Sequence, residues 1–119
     1  MSEAKMVRGP GSVAAEPMTG EGVKDVMRRV LISPDEGWEG WVLRLFEIAP
    51  GGHTPRHAHD WPHINFVSEG AGELHMDGED LEIEKGSAAF VPAGVVHQYT
   101  NTGAEPLALL CIVPERGAG

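Results

Sequence analysis

Short runs of apolar and β-branched residues, each ended by turn-forming residues, are the feature that most restricts how this chain can fold. The eight runs cover residues 26–32, 41–49, 63–70, 72–76, 80–84, 87–92, 95–101 and 107–114. Turns rich in Gly, Pro, Asp and Asn separate most of them, and no stretch has a convincing helical period of apolar residues. Many short strands at close spacing are typical of an all-β sandwich or barrel.

The remaining organisation is that of one domain with an extension. Asp77-Gly78 lies between two runs and favours a tight hairpin, because both residue types tolerate the positive φ that such a turn needs. A chain of 119 residues is long enough for one core. Residues 1–22 are rich in Gly, Pro, Ala and Ser without an apolar period. We therefore expect a flexible N-terminal arm, or one ordered only against a partner subunit, followed by a single barrel domain over residues 23–119.

The charge balance disfavours two kinds of partner. Lys and Arg total 9 against 18 Asp and Glu, which gives a formal net charge of −9. Nucleic-acid binding needs clustered cations, and we find only the pair Arg28–Arg29. An anionic membrane surface is disfavoured for the same reason, and no apolar run is long enough to span a bilayer.

The cysteine count and the N-terminal sequence indicate a location. Cys111 is the single cysteine, so no internal disulfide can form and a reducing compartment fits best. The first residues also lack the apolar core of a signal peptide. We expect a cytoplasmic protein.

Two of the predicted strands, residues 41–49 and 107–114, are apolar on both faces. In the first strand, Trp41, Leu43 and Leu45 share one face, and Val42, Phe46 and Ile48 share the other. An exposed strand of a small barrel normally alternates with polar residues, so apolar residues on both sides indicate cover on both sides. We expect a homodimer; a second layer supplied by the N-terminal arm is the alternative.

The segment RHAHDWPH, residues 56–63, carries three of the six histidines. His57 and His59 are two residues apart and point the same way on an extended chain, and a turn could bring His63 back beside them. His97 follows a Pro-Ala-Gly turn at the start of another predicted strand. Four neutral imidazoles around one point can hold a divalent transition metal. The alternative is a set of unrelated surface histidines, since an H-x-H pair alone is common by chance.

Two spaced motifs carry a family resemblance. The first family pattern, G-x5-H-x-H-x3,4-E-x6-G, is matched by Gly51, His57, His59 and Gly70, with His63 in place of the Glu. The second pattern, G-x5-P-x-G-x2-H-x3-N, is matched by Gly86, Pro92, Gly94, His97 and Asn101. Because both motifs agree in order and separation over residues 51–101, the chain resembles the cupin superfamily.

This resemblance implies an all-β cupin barrel, a double-stranded β-helix or jelly roll, with a metal held by His57, His59, His63 and His97. The segments RVLI, RLFEIAPGG and CIVPE, together with the fourth histidine, are similar to small single-domain (cupin_2 type) members, of which manganese-binding bacterial cupins are the nearest. Manganese is thus the expected metal, and Fe, Ni, Cu, Co or Zn would also accept imidazole ligands.

The change from Glu to His at position 63 alters the chemistry of such a site. It raises the net charge from +1 to +2 for a divalent ion, which lowers the pKa of bound water and attracts anions. Four protein ligands leave two positions open on a six-coordinate metal, whereas a tetrahedral zinc site would be closed and structural. Open positions favour oxygenase-like chemistry on a small-molecule substrate. A non-catalytic module that binds or senses a small ligand, and a Lewis-acid isomerase or lyase, are the alternatives.

Three further residues are candidates for a catalytic role: Arg44, Tyr99 and Cys111. Tyr99 shares the strand parity of His97 and could donate a hydrogen bond to a bound oxygen, or fill the core. Arg44 is the one charge in an apolar strand and could bind a substrate carboxylate or form an intersubunit salt bridge. Cys111 could approach the metal or be a plain buried cysteine.

Other residues in the motifs are assigned structural positions. Trp61 lies between ligands and either gates the pocket or caps the loop. His53 lies in a turn and His75 alternates with core residues, so we expect neither to be a ligand. The motif glycines are interpreted as turn positions that need positive φ. By parity with His63, Asn65 should face the pocket.

Overall fold

Nine β-strands form nearly all of the regular structure in the computed structural model, which describes residues 6–9 and 11–117. The strands are β1 (Glu16–Pro17), β2 (Lys24–Ile32), β3 (Trp41–His53), β4 (His63–Glu69), β5 (Ala71–Met76), β6 (Glu79–Glu84), β7 (Ala88–Val91), β8 (His97–Thr100) and β9 (Leu107–Pro114). Two short 3-10 segments, Pro34–Glu36 and Glu115–Gly117, complete the described elements.

The strands join into one curled antiparallel sheet. Its order is β6-β5-β8-β3-β9-β4-β7, with β2 on β3 and β1 on β2. β3 and β8 share the single pair His53–Thr100. This narrow connection divides the sheet into a three-stranded part (β6-β5-β8) and a five-stranded part (β2-β3-β9-β4-β7), with the two-residue strand β1 at the β2 edge of the latter. The prediction of an all-β barrel is confirmed.

The core lies between these two parts. It draws Leu74 and Tyr99 from the three-stranded part and Phe46 and Leu109 from the five-stranded part. The alternation is clearest in β9, whose buried positions are Leu107, Leu109, Cys111 and Val113. One face of each strand therefore meets the interior, as the period of two requires.

The predicted turns are present. Asp77 and Gly78 have φ values of 51° and 81°, which confirms the tight hairpin between β5 and β6. The four motif glycines all have positive φ, as predicted: Gly51, Gly70, Gly86 and Gly94. Gly70 has a second constraint, because a Cβ there would collide with the carbonyl oxygen of Pro106. The motif glycines thus shape the barrel's turns.

Part of the predicted N-terminal arm packs against β2. Glu16 and Pro17 pair with Arg28 and Met27, and Met18 contacts the core. The predicted arm begins in residues 1–5, which lie outside the described residues, as does residue 10. Flexibility of the arm stays a prediction, and the strand β1 within it has no signal in the apolar pattern.

No helix in the described part of the chain combines the length and the hydropathy that a membrane crossing requires. The cytoplasmic location stays a prediction.

Candidate metal centre

The fold brings the two histidine motifs together at one end of the barrel. His57, in the loop after β3, pairs with the first residue of β8: its N–H donates to the His97 carbonyl at 3.2 Å, and the His97 N–H donates back at 2.9 Å. The Gly94 N–H donates to the His59 carbonyl at 2.7 Å. His63 is the first residue of β4. Backbone hydrogen bonds, and not only the side chains, therefore fix the histidines relative to one another.

Three of the histidines form a compact set of nitrogen atoms. One ring nitrogen from each of His57, His59 and His97 lies within 4.8 Å of the other two. His63 lies beside this set: its Nε2 is 3.1 Å from Nε2 of His97, and its ring centroid is 5.2 Å from that of His59. The four predicted ligands are thus neighbours, with three in the closest group.

Hydrogen bonds hold three of these rings through Nδ1. The Nδ1 atom lies 2.9 Å from the Trp61 carbonyl oxygen in His59 and 2.9 Å from the Val95 carbonyl oxygen in His97. In His63 it lies 2.7 Å from Oδ1 of Asn65. These oxygens can only accept, so each Nδ1 carries the proton and donates. Each neutral ring then keeps a bare Nε2, which is the atom free to bind a metal.

The contact between His63 and His97 has no proton to share in this arrangement. Both rings use Nδ1 as the donor, so two Nε2 lone pairs face each other at 3.1 Å. Two adjacent ligands that each lie about 2.1 Å from one ion would be about 3 Å apart. Imidazole nitrogen is also the ligand type that borderline divalent metals prefer. The residues therefore fit a transition-metal ion.

Burial favours the neutral form of three of the four imidazoles, those of His57, His63 and His97. It lowers the pKa of His63 from 6.5 to about 4, and the neighbouring His97 and His59 add to that effect. Burial is also the main cause of the lowered pKa values of His57 and His97. A neutral imidazole is the form that binds metals, so the site needs little deprotonation at neutral pH.

A buried amide links the site to the strands behind it. Asn65 donates from Nδ2 to the Leu110 carbonyl at 3.3 Å, which turns its Oδ1 toward the site. This Oδ1 accepts from His63 and, at 2.9 Å, from the Tyr99 hydroxyl. The sequence predicts that Tyr99 donates to a bound oxygen or fills the core; in the structure its hydroxyl is buried and donates to Asn65. Its burial also raises the pKa of the phenol, so Tyr99 stays protonated.

The histidine cluster opens into a pocket with a volume of about 150 Å³. All four predicted ligands line it, together with the three candidate catalytic residues Arg44, Tyr99 and Cys111. Strand parity also placed Asn65 correctly. Arg28 and Met18 line the same pocket and were missed, because neither lies in a motif.

Arg44 and Cys111 are cross-strand partners on the inner face of β3 and β9. Nη2 of Arg44 lies 3.8 Å from the sulfur of Cys111, and the guanidinium lies 5.0 Å from the centroid of the Phe46 ring. Burial raises the pKa of the Cys111 thiol, an effect that Arg44 partly offsets. Cys111 is therefore a protonated thiol in the pocket wall, and a catalytic role for it stays a prediction.

Trp61, His53 and His75 lie outside the pocket lining. Trp61 stacks on His59 at a centroid separation of 4.5 Å with 7° between the planes. This contact supports the capping alternative. His75 is paired with Asp80 at 2.7 Å, and His53 contacts the Thr54 carbonyl. Neither belongs to the cluster, as predicted.

Comparisons with known proteins agree with this geometry. The Cupin_2 family, described as the cupin domain, matches residues 44–113. The solved structure of the polyketide cyclase RemF from Streptomyces resistomycificus superposes with a TM-score of 0.87 at 31% identity. That alignment covers 94% of this chain and 80% of RemF.

Two curated relatives extend the comparison. An oxalate-binding protein from Thermotoga maritima is 31% identical over 74 residues, which are 59% of this chain and 61% of the relative. Gentisate 1,2-dioxygenase from Ralstonia sp is 27% identical over 100 residues, which are 76% of this chain and 28% of the enzyme. The chain thus spans less than two thirds of either relative. Because the family match covers more than half of its residues, the chain belongs to the cupin domain family.

Proposed function

We propose that this cupin is a divalent-metal-dependent enzyme that acts on a small molecule, with the metal held by His57, His59, His63 and His97. The observation that carries the proposal is the pair of bare Nε2 atoms that face each other at 3.1 Å beside a pocket. Without a cation between them, the two lone pairs would repel each other. Three of these histidines, His57, His59 and His97, each have a ring nitrogen within 4.8 Å of the other two. The proposal adds His63 as the fourth ligand.

Manganese is the proposed metal. Its support is the similarity of the four-histidine motif to manganese-binding bacterial cupins. The donor set itself also accepts Fe, Co, Ni, Cu and Zn, since all bind neutral imidazole. Metal analysis therefore has to be part of the test.

The proposed chemistry is oxygenase-like. A bound metal of this kind would supply Lewis acidity and, for Mn or Fe, a change of oxidation state. The chain's own residues would hold and orient the reactants: Asn65 and Tyr99 fix the ring of His63, and Arg44 places a positive charge in the same pocket. The match to gentisate 1,2-dioxygenase supports this assignment, although it covers only 28% of that enzyme.

Lewis-acid catalysis without a change of oxidation state is the second candidate. Its support is the similarity to a polyketide cyclase, at 31% identity over 94% of this chain. Apart from the histidines and arginines, the titratable groups of the described pocket lining are Tyr99 and Cys111, and burial raises the pKa of both. An isomerase or lyase of this kind would therefore depend on the metal for its chemistry.

Metal exchange combined with oxygen uptake tests the proposal. The purified protein is analysed for metals, stripped with a chelator, and reloaded separately with Mn, Fe and Zn. Each form is then screened with small diols, diketones and phenols in an oxygen electrode. We expect about one metal per chain and oxygen uptake with Mn or Fe but not with Zn.

The other outcomes decide between the alternatives. Substrate turnover without oxygen, retained with Zn, would replace the oxygenase assignment with the Lewis-acid one. Ligand-dependent thermal shifts without any turnover would indicate a binding module, as the name of the oxalate-binding relative suggests for that protein. A protein that binds none of the metals would overturn the whole proposal.

A further inference from the structure

Two arginines enter the metal-site pocket from neighbouring strands. Arg44 lies on β3 and Arg28 on β2, and both line the pocket. Arg28 is the register partner of Phe46, which lines the pocket as well. The inner face of the five-stranded part therefore presents two guanidinium groups to the cavity that the histidines border.

The guanidinium of Arg44 is not satisfied by the protein. Its Nε is buried and has no hydrogen-bond partner. Its one hydrogen bond among the described residues runs from Nη2 to the sulfur of Cys111 at 3.8 Å, and thiol sulfur is a weak acceptor. A buried donor without an acceptor costs free energy, and the cost is larger for a charged group. Arg44 thus lacks an acceptor that a ligand could supply.

The pocket also lacks a compensating negative charge. No Asp or Glu is among its described lining residues, and neither Arg28 nor Arg44 forms an ion pair within the described part of the chain. Arg29, next to Arg28, shows the contrast: its Nε donates to Glu47 at 2.9 Å and its Nη1 to the Val13 carbonyl. The same strand therefore pairs one arginine and leaves its neighbour unpaired.

We propose that Arg44 and Arg28 bind the carboxylate of a small organic acid in this pocket. The inference rests on the proposed function, because the second oxygen group of the acid would face the histidine cluster. Guanidinium is the donor best suited to a carboxylate, since it can form two parallel hydrogen bonds. A volume of about 150 Å³ accommodates a molecule about the size of benzene. The substrate class is a short 2-hydroxy or 2-oxo acid.

Isosteric pairs of acids and amides test this inference. Glycolate, lactate and 2-hydroxybutyrate are titrated calorimetrically into the manganese-loaded and the chelator-stripped protein, alongside the matching amides. We expect the acids to bind the loaded protein about 10- to 100-fold more tightly than the amides, which is the worth of hydrogen bonds to a charged group. Arg44→Met should remove that preference and leave the bound manganese, measured by elemental analysis, unchanged.

Arg29→Met is the matched control, because Arg29 lies beside Arg28 but is paired with Glu47. It should keep the preference for acids, and Arg28→Met should weaken it. If Arg44→Met does not fold, as judged by its melting curve, Arg44→Lys and Arg28→Met take its place, and both should bind the acids more weakly than the wild type.

Equal affinity for acids and amides, or a preference that survives these substitutions, would overturn the inference. The proposed function can fail separately. A chain that takes up no metal but still binds acids through Arg44 would remove the metalloenzyme and keep the carboxylate site. A metal-loaded chain that turns over neutral compounds without binding acids would keep the metalloenzyme and remove the carboxylate site.

Discussion

The five-stranded part has an apolar inner face interrupted by one polar row, and an outer face that is apolar where an exposed antiparallel sheet is normally polar. On the inner face, Arg44, Cys111 and Asn65 are direct partners across β3, β9 and β4, and all three line the pocket. On the outer face, two apolar rows flank them: Leu43, Ile112, Ile64 and Phe90 in one, and Leu45, Leu110, Phe66 and Ala88 in the other. Such a sheet normally places apolar residues inside and polar residues outside.

The two faces therefore need different partners. The inner row is polar, and its Arg44 Nε has no acceptor in the chain, so this face is arranged for a bound ion or molecule. The outer rows carry side chains with large exposed fractions, 49% for Ile64, 43% for Phe66 and 58% for Phe90. Contiguous exposed apolar side chains of this kind mark contact surfaces. The homodimer expected from the sequence stays a prediction, and this outer face is where a second copy would pack.

The largest expected effect comes from a histidine of the proposed metal site on the inner side. His97→Ala should reduce metal affinity more than about 100-fold, since even partners of metal ligands are worth about 10- to 100-fold. It should leave the oligomeric state unchanged, because His97 is a buried residue of β8 and not part of the outer rows. Elemental analysis after dialysis and competition with a chromogenic chelator measure the affinity.

His75→Ala is the control for this substitution, because His75 is paired with Asp80 and lies outside the cluster. It should keep full metal content. A His97→Ala variant with full metal content would contradict the four-histidine site.

The second effect is a loss of folding stability in acid that arises from His63 on the inner face. His63 has a pKa of 6.5 in the unfolded chain and about 4 in the folded one. Between those values the unfolded state binds a proton that the folded state does not, so stability falls as the pH falls. The full shift of the His63 pKa corresponds to about 3 kcal/mol of unfolding free energy. The stability contributed in this way is present above pH 6.5 and lost toward pH 4.

Unfolding by urea at several pH values checks this effect in the metal-free protein. His63→Gln, which cannot titrate, should show a smaller slope of unfolding free energy between pH 6.5 and 4 than the wild type. Identical slopes for the two proteins would contradict it. The outer rows contain no group that titrates in this range, so they do not contribute to the dependence of the unfolding free energy on pH.

The strands and the histidine cluster could be predicted because their signals are local. Turn residues ended the apolar runs close to the observed strand ends, and the motif spacing identified the histidines. The alternation of side chains along a strand also placed Arg44 and Cys111 on the inner face, because β3 and β9 pair without irregularity. The register of β2 could not be predicted in this way. It shifts between Lys24 and Val26 and between Val30 and Ile32, so counting by twos does not show which of two adjacent arginines faces the pocket.

Contacts between distant segments were likewise beyond sequence reasoning. The hydrogen bond from Tyr99 to Asn65 joins residues that are 34 positions apart. Parity places both side chains inside, but only the distance between β8 and β4 decides that the hydroxyl meets the amide and not a ligand. The pairing of β1 with β2 is a similar case, because Glu16 and Pro17 carry no strand signal of their own.

The third prediction tests the outer face. Phe66→Glu places a charge in the middle of an apolar row, so it should weaken the predicted homodimer by about 30-fold or more, the effect of losing a central contact residue. Metal content should not change, because Phe66 points away from the pocket. Analytical ultracentrifugation over a range of concentrations measures the dissociation constant.

Leu81→Glu is the control for this substitution, since Leu81 is also an exposed apolar residue, at 38%, but lies on β6 in the three-stranded part. It should leave association unchanged. A wild-type chain that stays monomeric at every concentration would rule out the second copy as the partner of this face.

The smallest effect tests whether Tyr99 on the inner face positions His63 through Asn65 or only packs in the core. Tyr99→Phe removes the hydroxyl that donates to Asn65 at 2.9 Å, while the hydrogen bond from His63 to Asn65 remains. Metal affinity should fall about tenfold, the lower end of the range for partners of metal ligands, and stability should fall by about 1 kcal/mol. Ser68→Ala is the matched control, because the Ser68 hydroxyl donates to the Ala108 carbonyl at 3.3 Å away from the pocket. If Tyr99 only fills the core, Tyr99→Phe should lower the stability of the protein and leave its metal affinity unchanged. The ratio of the loss in metal affinity to the loss in stability therefore distinguishes a positioning role from a packing role.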